Sequence, residues 1–176
     1  MKLRFLPKLA LAAAVMLAFA STAMAGPKNW SPPPYKIYAQ ALSDEIMASH
    51  PELISVTFHG VPPGMDKVYT MYAGSFPERI GNADDPDDIE VVTKAITIVD
   101  PRWNRTKDTV KKFVMMMPLR DAKGQHIGLL VLAYKNPPEA KKTETDFWLA
   151  ATALRDDLQA KIPSNEALFK PVAGKS

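Results

Sequence analysis

Hydrophobic and polar positions change period several times along the 176-residue chain, and each change marks a predicted element. Tyr38, Ala41, Leu42 and Ile46 recur at helical spacing with Asp44 and Glu45 turned away, which predicts a helix over 35–49 that His50-Pro51 ends. The period then falls to two. Ile54, Val56 and Phe58 alternate with Ser55, Thr57 and His59, the pattern of a strand with one apolar and one polar face. Pro62-Pro63-Gly64 supplies a turn, and a second strand follows over 68–72. Between 74 and 109 the pattern is mixed. Asp84-Asp85-Pro86-Asp87-Asp88 predicts the start of a short helix running to Lys94, since the first turn tolerates proline and favours carboxylates at the positive end of the dipole. A short strand is predicted over 96–99, and Asp100-Pro101 opens a loop carrying Arg102, Trp103 and Arg105.

The clearest local signal is a hairpin: a strand over 110–119, a turn at Asp121-Ala122-Lys123-Gly124, and a second strand over 125–134. Both strands are apolar on both faces. Phe113, Met115, Met117 and Leu119 oppose Val114 and Met116, and Ile127, Leu129 and Val131 oppose Leu130, Leu132 and Tyr134. Such strands belong in the middle of a sheet covered on both sides. Asn136-Pro137-Pro138-Glu139 then opens a long helix in which Phe147, Ala151, Leu154 and Leu158 share a face, ending at Ile162-Pro163. The order helix, hairpin, helical crossover, hairpin, helix predicts an α+β domain built on an antiparallel sheet.

The flanks read differently. Lys2, Arg4 and Lys8 precede an apolar run over 9–20 and an Ala23-Met24-Ala25 site before Gly26, so residues 1–25 are expected to be a cleavable signal peptide of bacterial type that sends the chain to the periplasm or outside the cell. Residues 26–34 hold four prolines and are read as an extended arm, 35–162 as a single domain, and 163–176 as a flexible tail.

Charge follows from the same boundary. The chain carries 22 Lys+Arg against 19 Asp+Glu, and all three excess positive charges lie in the predicted signal. The remainder is balanced and holds no compact basic block, which argues against a nucleic-acid partner. With no cysteine, a disulfide framework, a thiolate metal site and c-type haem attachment are excluded. About 150 residues bury roughly 70% of their unfolded surface, so an ordinary core suffices.

The hairpin also carries a resemblance. Pro118-Leu119-Arg120-Asp121-Ala122-Lys123-Gly124-Gln125-His126-Ile127-Gly128-Leu129-Leu130 resembles the closing hairpin of PAS-like extracytoplasmic sensor domains of the Cache group, whose pattern is P-L-x-D-x-x-G-x-x-I-G-x-L. What the resemblance implies is a sheet of about five antiparallel strands with a long N-terminal and a long C-terminal helix. It also implies a pocket between the sheet and its crossover segment that binds a small molecule and passes on a shape change. Domains of that group mostly lie between membrane spans. A chain with a cleavable signal and one domain would need a separate membrane-bound partner to signal.

Candidate chemistry is sparse. No G-x-S-x-G, S-x-x-K or H-E-x-x-H pattern occurs, and the expectation is a non-enzymatic binding domain without a cofactor. His50, His59 and His126 are too scattered to propose a shared metal. Ser55, Thr57 and His59 share the polar strand face and could hydrogen-bond a ligand. Tyr69, Tyr72, Arg79, Arg102, Trp103 and Arg105 combine aromatic faces with guanidinium groups able to clamp a carboxylate, so the expected ligand is small and polar or anionic. Two alternatives stand beside this reading. One is a metal-handling protein using Met115-Met116-Met117 for copper or the aspartates at 84, 85, 87 and 88 for calcium, although the latter lack the spacing of an EF-hand loop. The other is a protein-interaction accessory that docks through the arm around Trp30.

Overall fold

A strand pair with no wet face has to be covered twice, and that requirement organises the domain. The computed structural model describes residues 26–99 and 109–172. Strands β1 (Leu53–Gly60), β2 (Thr70–Gly74), β3 (Ile98–Val99), β4 (Lys112–Arg120) and β5 (His126–Lys135) form one antiparallel sheet in the order β2-β1-β5-β4-β3. Among the described residues four α-helices accompany it: α1 (Tyr38–Ser49), α2 (Pro86–Lys94), α3 (Glu144–Lys161) and α4 (Asn165–Leu168). The α+β class and the five-stranded antiparallel sheet are as the sequence pattern predicts.

The two faces are covered unequally. On one, α1 lies against β1 and β2 and α3 against β4 and β5, enclosing the main core of Val56, Phe58, Met115, Met117, Leu130, Leu132 and Tyr134. Phe147 of α3 anchors this layer: it is 1% exposed, stacks on Phe113 at 4.5 Å and lies 5.6 Å from Tyr134. On the other face, among the described helices, α2 packs against β5, β4 and β1, where Val91 meets Val114, Met116, Leu129 and Ala133.

Local chemistry explains where elements start. Helix α3 begins at Glu144 rather than at the prolines, because Thr143 caps it and the Asp146 carboxylate accepts from the Thr143 N–H at 2.7 Å. Pro138–Ala140 form a separate short 3₁₀ turn. In the β4–β5 turn the buried Asp121 accepts from the backbone N–H groups of Lys123 and Gln125, both at 2.9 Å, which is why an aspartate begins it. A register shift at Leu119/Arg120 then turns Ile127 onto the main-core face, away from Leu129, whereas strict alternation puts the two together. Gly128 admits the neighbouring strand here, since a Cβ would lie 2.4 Å from the His59 carbonyl oxygen.

Both flanks are tied to the domain. Lys28 bridges Asn82, the Asn29 N–H donates to the Gly81 carbonyl at 2.9 Å, and the Trp30 ring meets Phe169 edge-on at 6.0 Å. The arm is therefore packed on its own domain. Gly81, at φ +88°, permits this, because a Cβ there would lie 2.1 Å from the Trp30 carbonyl oxygen. The expected flexible tail is ordered through Val172: Ser164 caps α4, Leu168 is fully buried, and the Tyr38 N–H donates to the Lys170 carbonyl at 2.9 Å.

The layer assignment makes a prediction. Phe147→Ala should destabilise the protein by about 3–5 kcal/mol, whereas Trp148→Ala, on the exposed side of the same helix, should change stability by no more than about 0.5 kcal/mol. Urea unfolding of both variants checks it, and the reverse ranking would overturn the packing of α3.

Candidate functional site

The polar face of β1 is not wet. Ser55, Thr57 and His59 are 8%, 6% and 6% exposed, because they face the side of the sheet that carries α2 and the crossover leading to it. Helix α2 has only nine residues and covers the β4–β5 half of this face, which leaves a cleft of about 290 Å³ beside it. Ile54, Val114, Met116, Val131 and Ala133 make an apolar floor. Phe76, Glu78 and Arg79 form one wall, Asp85, Asp87 and Asp88 at the start of α2 another, and Lys112 closes the far end. The volume approaches that of a small-molecule site, and an apolar floor with a few convergent polar groups is the usual lining of one.

His59 is the polar centre. Its Nδ1 lies 2.7 Å from Asp84 Oδ1 and 3.8 Å from Asp88 Oδ2, and its Nε2 lies 2.8 Å from Thr57 Oγ1. Burial alone would push the imidazole pKa down. The hydrogen bond and charge of Asp84, with the charge of Asp88, outweigh burial and the opposing charge of Arg79, so the group is held above its ordinary value. When protonated, the ring has a donor for each of Thr57 and Asp84. Burial also pushes the Asp88 carboxyl up; the charge of His59 opposes this, and the charges of Asp84 and Asp85 add to the rise. The Asp84 side chain is fully buried, and its Oδ2 has no hydrogen-bond partner among the described residues.

Each carboxylate is placed by local structure. Asp85 is the N-cap of α2, and Asp88 Oδ2 accepts from the Asp85 N–H at 3.2 Å, so the aspartate run does begin a helix. Asp84 lies one residue earlier and is held by its N–H donating to the Tyr69 carbonyl at 3.1 Å. The guanidinium of Arg79 sits 5.4 Å above the Phe76 ring at the cleft wall.

Of the residues singled out from the sequence, Ser55, Thr57, His59 and Arg79 come together at the cleft. Tyr72 does not: strand alternation puts it on the opposite face, buried against Phe58 and 4.7 Å from Phe169. Tyr69 is half-buried at the arm, where its carbonyl accepts from Asn29 Nδ2 at 2.9 Å. Arg102, Trp103 and Arg105 lie outside the described residues. The methionine run divides between layers, Met115 and Met117 in the main core and Met116 in the cleft floor. Sequence reading missed Asp84 and Asp88 as partners of His59, which stands 25 residues before Asp84. Their only signal was the aspartate run, and helix capping already accounts for it.

No protein-family model and no curated protein matches this chain. Among solved structures it is similar to a type II free methionine-R-sulfoxide reductase from Thermoplasma acidophilum, with 16% identity, 76% of this chain and 93% of that one covered, and a TM-score of 0.45. It is similar also to the GAF domain of an Acinetobacter phosphoenolpyruvate-protein phosphotransferase, with 14% identity, 77% and 84% covered, and a TM-score of 0.49. The DcuS sensor domain of E. coli shares 19% identity over 55% of this chain and 65% of that one, at a TM-score of 0.38. The expectation of a non-enzymatic protein is thereby corrected, because an enzyme stands among these structures beside sensor and GAF domains.

The buried contact between His59 and Asp84 predicts a large effect. Asp84→Ala leaves a buried imidazole without its carboxylate and should destabilise the protein by about 3–5 kcal/mol, while Asp44→Asn at an exposed ion pair should cost under about 1 kcal/mol. Equal effects in chemical denaturation would show that the buried contact is not held as described.

Proposed function

We propose that the protein is a PAS-like sensor-type domain that binds a small polar molecule with an apolar portion in the cleft between α2 and the sheet. The observation that carries this reading is the cleft itself, which joins an apolar floor to the convergent polar atoms of His59, Thr57 and Arg79. A pocket between sheet and crossover is what the hairpin resemblance implies. The floor suits an alkyl or aryl portion. The polar end meets Arg79 on one side and the carboxylates of α2 on the other, so a zwitterion suits the walls as well as the polar or anionic molecule expected from sequence.

The reading has a mechanical side. Two of the cleft walls are short elements, the Pro77–Arg79 turn and the first turn of α2, and a ligand touching both would bias their separation. Export through residues 1–25 and transmission to a membrane-bound partner belong to the same proposal, supported by the signal-like pattern of that segment.

A thermal-shift panel of organic acids, amino acids and amines tests the reading. A compound at about 100 times its dissociation constant should raise the melting temperature by roughly 5–10 °C. Val131→Trp, which fills the cleft from its floor, should abolish the shift, and Arg79→Ala should weaken it for carboxylate-bearing compounds. A hit that survives Val131→Trp would place the site elsewhere.

A further inference from the structure

We propose that His59, Asp84 and Asp88 form a binding site for one divalent first-row transition-metal ion at the inner wall of the cleft. Three elements that are remote in sequence bring the donors together: β1 supplies the imidazole, the segment before α2 one carboxylate, and the first turn of α2 the other. One ligand atom from each lies within 4.8 Å of the other two.

Two further observations point to an ion rather than to an ion pair alone. The first is the Asp84 carboxylate, which is fully buried and spends only Oδ1 on His59. Its Oδ2 has no hydrogen-bond partner among the described residues, and a buried acceptor left in that state is costly unless something else uses it. The second is Thr57. Its hydroxyl holds Nε2 of the ring at 2.8 Å, which turns Nδ1 towards both carboxylates and gives the Nε2–H an acceptor when Nδ1 is deprotonated for coordination. Metal-bound histidines are oriented in this way by a partner on the second nitrogen.

The donor set selects the class of ion. One imidazole and two carboxylates suit Mn²⁺, Fe²⁺, Co²⁺ or Zn²⁺, whereas Cu(I) prefers thioethers and Ca²⁺ takes six or more oxygens. Bonds of about 2.0–2.2 Å to nitrogen and oxygen put neighbouring donors about 3 Å apart. Asp84 and His59 are slightly closer than this and Asp88 slightly farther, so small side-chain movements complete the geometry. His59 and Asp88 line the cleft, so its interior is where a further ligand would reach the ion. The proposal is independent of the organic ligand, since the three donors belong to the protein.

The test is titration of the EDTA-stripped protein with Co²⁺, Mn²⁺ and Zn²⁺, followed by calorimetry and, for Co²⁺, by visible d–d absorption. One ion per chain is expected, with the Co²⁺ spectrum of a mixed nitrogen and oxygen site. His59→Gln and Asp88→Asn should each weaken binding by about tenfold or more, and Asp44→Asn should not; Asp88→Asn keeps a side-chain oxygen to cap α2, and circular dichroism confirms that each variant is folded. Absence of saturable binding in the unsubstituted protein, or binding indifferent to both substitutions, would overturn the site. The organic panel repeated in EDTA separates the two proposals: hits there without metal binding leave the cleft as a ligand site and remove the ion, while metal binding with a blank panel does the reverse.

Discussion

Burial of the β4–β5 hairpin on both sides is the constraint from which the architecture follows. Met115, Met117, Leu130 and Leu132 on one face and Val114, Met116 and Leu129 on the other cannot be left in water together, so the sheet needs two covering layers. The chain meets this need unevenly. Among the described residues the first layer takes three helices, α1, α3 and α4, and the second takes α2. A nine-residue helix is too short to shield the whole width of a five-stranded sheet, and the uncovered part over β1 is the cleft.

Edge protection explains the two terminal segments. β2 is an edge strand, and its outer side is occupied by residues 81–83, which bond back to Met71 and bridge Thr70. The arm then bonds to that segment through Asn29 and Trp30, and Trp30 reaches Phe169 at the far end of the chain. Phe169 in turn meets Tyr72 of β2. Both ends of the described chain thus close over one edge, and the backbone of 81–83, two residues before the α2 cap, is held between them. The placement of Asp84 depends on this closure as much as on its own hydrogen bonds.

The chemistry of the cleft rests on desolvation. On an exposed strand, Ser55, Thr57 and His59 would be ordinary solvated side chains. Under α2 and the crossover they are almost wholly shielded, and a charged group there needs a fixed partner. His59 has two, a hydroxyl on one nitrogen and a carboxylate on the other, and this defines the direction in which each nitrogen points. Shielding alone would lower the proton affinity of the ring; the hydrogen bond and charge of Asp84, with the charge of Asp88, raise it instead, and the same shielding leaves Asp84 Oδ2 a buried acceptor without a hydrogen-bond partner among the described residues.

The sequence by itself determined the elements whose signal is local. Helical spacing from Tyr38 to Ile46, alternation from Ser55 to His59, the aspartate turn between two apolar strands and the capped start of α2 all express chemistry within a few residues, and all are present, while Ile54, expected beside Val56 and Phe58, is turned into the cleft floor by the register shift between Leu53 and Ser55. It also determined that the hairpin is central, because side chains apolar on both faces allow no other position. Where a local rule met a long-range contact, the tertiary structure decided instead. Prolines made residues 26–34 read as an extended arm, and Gly81 and Phe169 decide where it lies; the segment after Ile162 lacks a strong pattern, yet Leu168 has a place in the core. Tyr72 looked like a ligand residue because exposure cannot be read from one strand, and the sheet turned it inward. The site shows this most clearly: His59, Asp84 and Asp88 converge because β1 and the start of α2 are folded against each other, and no spacing rule links residues whose proximity is set by packing rather than by the chain between them.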